Sequence, residues 1–87
     1  MSPGGAVFAR SVGRNIRRTR QAAGLTKEAL ANRAGVHWAV VVAYEGGHGV
    51  PILESFVKIA YALGVSPCDL LPGLEWDPQD TDQETAV

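Results

Sequence analysis

The stretch Thr26-Lys27-Glu28-Ala29-Leu30-Ala31-Asn32-Arg33-Ala34-Gly35-Val36-His37-Trp38-Ala39-Val40-Val41-Val42-Ala43-Tyr44-Glu45 is the most informative part of this chain. Thr26 is a good helix N-cap, and Glu28 suits the positive end of a helix dipole, so a helix is expected from residue 27. Leu30, Ala31 and Ala34 supply its buried side. Gly35 breaks it after about two turns, at a position that tolerates positive φ. Val36 bridges to residues 38–45, where three successive valines favour a strand by propensity. No other segment reads as a strand that could pair with it, so a second helix is expected there. Two short helices crossing steeply need a small residue at closest approach, and Ala31 fits. They need apolar residues on facing sides, and Leu30, Val36, Val41 and Tyr44 fit. The pattern predicts two helices joined by a tight turn over about 27–45.

The flanks read as helices as well. Phe8, Val12, Ile16 and Ala23 fall on one stripe of a first helix over 6–23, with Arg10, Arg14, Arg17 and Arg18 on its other side. Gly24 ends it. Residues 46–51, Gly-Gly-His-Gly-Val-Pro, form a loop. A fourth helix is expected over 52–63, its apolar face built from Leu53, Phe56, Val57, Ala60 and Leu63 with Ile59 beside them, and Gly64 caps it. Ser66 and Pro67 open a short fifth helix over 67–71. Residues 1–5 contain Pro3, Gly4 and Gly5 and are expected to be disordered, as is the polar tail 75–87. The reading is one all-α domain of five helices over 6–74.

Composition narrows the function. The 87 residues are 46% apolar and 20% charged, ordinary for a globular domain. The longest apolar run is Trp38–Tyr44, against roughly 20 residues for a membrane span. The first residues lack the basic start and apolar stretch of a signal peptide, and the single cysteine, Cys68, has no partner for an internal disulfide; both suit a cytoplasmic setting. All eight basic side chains lie in residues 1–74 with only four acids, whereas residues 75–87 hold five acids and no base. A basic body with an acidic tail suits a nucleic-acid partner. His37 and His48 have no cysteine or carboxylate at metal-ligand spacing, and Cys68 reads as a small apolar filler. The glycines at 46, 47 and 49 do not follow a strand, so they make no phosphate cradle. No enzyme activity, cofactor or metal is expected.

Residues from about 11 to 71 resemble the Xre/Cro/phage-repressor family of helix-turn-helix domains. The resemblance rests on Ile16-Arg17 with Arg20, Gly24-Leu25-Thr26, Glu28-Ala29-Leu30-Ala31, Ala34-Gly35-Val36 and Tyr44-Glu45. It continues through Ile59-Ala60, Ala62-Leu63-Gly64-Val65-Ser66 and Asp69-Leu70-Leu71, in order and at family spacing. It implies a five-helix, lambda repressor-like fold whose third helix enters the major groove of double-stranded DNA, commonly as a homodimer. It implies an ion pair between Arg20 and Glu45, and phosphate contact at Thr26 and Lys27. It places His37, Trp38, Ala39, Val42 and Ala43 at the base-reading positions, and His48 in the loop that contacts phosphate. Arg14, Arg17 and Arg18 are expected to add non-specific attraction to phosphate.

Helix 3 departs from the family, whose base-reading positions are usually polar or basic. Only His37 offers a strongly directional hydrogen bond, and Trp38 has a single indole donor. Three readings stand: DNA readout through thymine methyls and shape, a protein-binding surface, or additional core. The protein-binding reading corresponds to an antitoxin or accessory subunit. A homodimer is expected through Leu70, Leu74 and Trp76.

Overall fold

The computed structural model describes the backbone of residues 3–48 and 52–72, and side chains from Val7 onward within those ranges. Four α-helices follow one another: α1 (Pro3–Ala22), α2 (Lys27–Ala34), α3 (Trp38–Glu45) and α4 (Leu53–Leu63). The fifth element is not an α-helix but one turn of 3-10 helix, Pro67–Leu70. Its compactness comes from a capping box: Ser66 accepts from the Cys68 N–H, and Asp69 accepts from the Ser66 N–H. α1 begins ahead of the expected residue 6, with Pro3 at a helix start where its missing N–H is not needed. The expected flexible tail, 75–87, lies outside the described residues. Among the described residues, no helix is long and apolar enough to cross a membrane.

One core joins all five elements. Val12 and Ile16 of α1 meet Leu30, Ala31 and Ala34 of α2, Val41 and Tyr44 of α3, and Phe56, Ile59 and Ala60 of α4. Leu70 closes it from the 3-10 turn. Leu70 is fully buried inside its own protomer, which removes it as a dimer contact. Leu74 and Trp76, the other expected dimer residues, lie outside the described residues.

Two further expectations are corrected. The buried stripe of α1 runs Val12, Ile16 and then Arg20, at spacings of four, while Ala23 is exposed in the turn that follows. Leu53 was expected on the buried face of α4 but is 75% exposed, because the helix starts there and its inward row is Phe56, Ile59 and Ala60.

Local geometry explains how α2 and α3 are set. The Thr26 hydroxyl accepts from the Ala29 N–H at 3.0 Å, satisfying one of the free donors at the start of α2. Gly35 ends α2 at φ 69°, a left-handed conformation that a side chain would strain. His37 then caps α3, its Nδ1 accepting from the Ala39 N–H at 3.0 Å. The Tyr44 hydroxyl accepts from the Ile52 N–H at 3.0 Å, tying α3 to the entry of α4. Asn15 of α1 donates to the Leu70 carbonyl at 3.0 Å, tying the other end of the domain to the long helix.

A candidate nucleic-acid interface

α1 crosses the C-terminal end of α3 at very short range. An ideal Cβ on Gly13 would lie 2.2 Å from the Tyr44 carbonyl oxygen, so only glycine permits this approach. The close crossing brings Arg20 to Glu45. Its Nε donates to Glu45 Oε2 at 2.6 Å, and Nη2 donates to Oε1 at 3.0 Å, a two-pronged pairing. Nη1 donates to the Leu25 carbonyl at 2.8 Å, so one guanidinium fixes the end of α1, the turn into α2 and the end of α3. The hydrogen bond to Glu45 raises the Arg20 pKa above its ordinary value; burial opposes this and the carboxylate charge reinforces it. Among the described residues, no buried side-chain polar atom lacks a hydrogen-bond partner.

Beside this pair lies an open cleft of about 370 Å³, with Arg17 and Gln21 from α1, Lys27 from α2, Val42 from α3 and His48 from the following loop on its walls. The His48 ring lies over Gly46, where a Cβ would come within 2.7 Å of its Cδ2. Lys27 is the first residue of α2, so its side chain and the free N–H groups of the first turn are adjacent. Because Arg20 already neutralises Glu45, the free charge on the cleft is positive. A second, smaller depression joins Arg10, Arg14 and Arg17 along α1 at spacings of four and three. The surface therefore offers cations and helix-end amides to an anion running from α1 across the start of α2.

The expected site residues divide into groups. Arg17, Lys27, Val42 and His48 meet at the cleft, with Thr26 capping the same helix start and Arg14 along the adjoining depression. Arg18 lines neither surface, one helical position off the Arg10–Arg14–Arg17 row. His37, Trp38 and Ala39 stand exposed at the N-terminal end of α3, whereas Val42 and Ala43 are half-buried. Trp38 is 47% exposed. His37 has Nδ1 occupied by the cap, which leaves Nε2 as its remaining hydrogen-bonding atom. Arg10 and Gln21 were not singled out from the sequence. Arg10 lies four residues before Arg14 on the same face, a spacing that could have included it. Among the described residues, no group of three His, Cys, Asp or Glu side chains is arranged to hold a metal ion.

A family model described as a helix-turn-helix domain matches residues 11–71. Among solved structures, the restriction-modification controller protein C.AhdI from Aeromonas hydrophila is 32% identical with a TM-score of 0.70, over 72% of this chain and 96% of that one. An HTH_3 family transcriptional regulator from Vibrio cholerae is 26% identical with a TM-score of 0.72, over 76% of this chain and 37% of that one. The iron(II) form of HppE is 27% identical with a TM-score of 0.70, over 84% of this chain and 39% of that one. The chain thus spans well under half the length of the last two. No curated protein matches the chain.

Proposed function

We propose, from the premise that this chain belongs to the helix-turn-helix domain family, of Xre/Cro/phage-repressor type, that it is a non-enzymatic transcriptional regulator that binds double-stranded DNA. The carrying observation is the basic cleft in which Arg17, Lys27 and His48 surround the start of α2 and one side of α3. Phosphates would run along Arg10, Arg14 and Arg17 and over the α2 N-terminus, with Lys27 as the central cation. This seats α3 in the major groove with His37 Nε2, Trp38, Ala39, Val42 and Ala43 toward base edges. That helix presents mostly methyl groups and one indole, so recognition rests on thymine methyls and DNA shape more than on hydrogen bonds.

The regulator acts as a homodimer on an operator, since two copies present two α3 helices to half-sites roughly 34–36 Å apart. C.AhdI, named as a controller protein and matched along almost its whole length, supports a regulator of this size. Selection of bound duplexes from a random DNA pool at low salt tests the reading. An enriched, two-fold symmetric sequence is expected, and a pool that stays random rules out operator recognition.

A second reading rests on one observation, the half-exposed Trp38 beside the exposed Ala39 and the half-buried Val42. Apolar residues grouped on a surface mark protein-binding sites, so α3 would dock a protein partner, as an antitoxin or accessory subunit does. Binding that is indifferent to salt and saturates with protein but not DNA would favour it.

A further inference from the structure

One wall of the basic cleft is a histidine, the side chain type that gains or loses its charge between about pH 5 and 8. α3 ends at Gly46, and the chain turns back through Gly47, which takes φ 74°. The Gly47 N–H donates to the Tyr44 carbonyl at 3.1 Å, and the His48 N–H donates to the Ala43 carbonyl at 2.9 Å. Both bonds occupy carbonyls left free at the end of the helix. α1 presses on the same turn: an ideal Cβ on Gly47 would lie 2.9 Å from Arg10 Cγ and 3.2 Å from its Cα. The backbone at His48 is thus held by α3 and α1 together, and its exposed imidazole stands on the wall of the cleft.

The charged groups around this imidazole come from three helices. Arg17 and Arg20 of α1, Lys27 of α2 and Glu45 of α3 line the same cleft, and Arg10 lies against the turn at Gly47. Arginine and lysine stay protonated throughout the range in which histidine titrates. Glu45 is already paired with Arg20, which leaves Arg17 and Lys27 as the uncompensated cations of the cleft. Without an anion between them, a third cation beside these two meets like charge. A phosphate there turns the repulsion into attraction, so phosphate entry and protonation of the imidazole favour each other. We propose, on the DNA-binding reading above, that His48 is a proton-operated phosphate contact, so that the domain binds DNA more tightly as pH falls. DNA favours the charged ring, so the complex holds more protons than the free chain. Affinity therefore rises with acid until the free chain is protonated as well. His37, the other histidine, pulls the opposite way. Its Nδ1 accepts from the Ala39 N–H at the start of α3, and a protonated ring has no acceptor to offer.

The test measures binding of the full chain to a labelled mixed-sequence duplex by fluorescence anisotropy, at about pH 6 and about pH 8 and over a salt series. Wild type should bind several-fold tighter at the lower pH, with a salt slope steeper by up to about 0.9 per protomer. His48→Asn should bind equally at both pH values with the shallower slope, and His48→Lys should bind tightly at both. His48 is exposed, so both variants keep the wild-type melting temperature. His37→Asn retains a good N-cap and should keep the wild-type ratio between the two pH values. Wild-type binding that is the same at both pH values overturns the inference, and so does a pH response that survives in His48→Asn; either leaves DNA binding itself standing. Absence of binding at both pH values in low salt overturns the DNA-binding reading and the inference together.

Discussion

Replacing Glu45 with alanine tests the junction that holds the site together. The Glu45 side chain is 2% exposed and that of Arg20 10%, so truncation strands a guanidinium in the protein. Arg20 Nε and Nη2 lose their acceptors, and only the Nη1 bond to the Leu25 carbonyl persists. Removing one member of a buried pair costs about 3–5 kcal/mol. A chain of this size has a total stability on the order of 4–13 kcal/mol, so the loss is a large share of the whole. At about 4–8 °C per kcal/mol for a domain this small, the melting temperature should fall by at least ~12 °C, read by far-ultraviolet circular dichroism. Arg20→Met combined with Glu45→Leu should melt above either single variant, because neither change then leaves an unpaired charge. The raised Arg20 pKa fixes the pH dependence: its contribution is complete below the unfolded value and is lost progressively as pH rises from there through the folded one. Mild alkali should therefore leave the wild type's melting unchanged. A Glu45→Ala protein that melts within about 4 °C of wild type would place the pair's worth below roughly 1 kcal/mol and refute this reasoning.

Three other substitutions separate scaffold from surface. Gly13→Ala drives a methyl into the Tyr44 carbonyl and should cost about 1–3 kcal/mol or more in thermal unfolding, whereas an unchanged melt would mean α1 and α3 are not so close. Lys27→Gln should weaken binding to every DNA sequence alike and reduce the salt slope by about 1, measured by fluorescence anisotropy; a change in sequence preference at constant slope would give Lys27 a different role. Trp38→Ala should leave the melting temperature in place but cost about 2 kcal/mol or more in binding, and the reverse pattern would make Trp38 part of the core.

The sequence made the two-helix unit legible because its signals are local. Thr26 caps, Gly35 turns, and Leu30, Ala31, Val41 and Tyr44 repeat at helical spacing. What it concealed depends on distant neighbours. Gly13 reads as an ordinary helix-weakening glycine until Tyr44 is placed against it. Arg20 continues the apolar row of Val12 and Ile16, but a charge does not register as core until Glu45 meets it, so Ala23 appeared to complete the stripe. Leu53 looked buried because it lies one helical turn before the buried Phe56. His37 looked like a pure surface reader, yet one of its nitrogens caps α3. The basic residues were visible singly, but the convergence of Arg17, Lys27 and His48 on one cleft follows only from how α1, α2 and the end of α3 meet.

The most direct test of the central claim is the dissociation constant for duplex DNA measured across a series of salt concentrations. On the proposed reading, Arg10, Arg14, Arg17 and Lys27, which line the two basic surfaces, would give about four phosphate contacts per protomer. Neutralising four phosphates gives a slope of about −3.6 in the logarithm of the association constant against that of salt, and roughly twice that for a dimer. The account predicts a slope in that range, with binding strongest at low salt. A slope near zero, or no binding at the lowest salt, would contradict it.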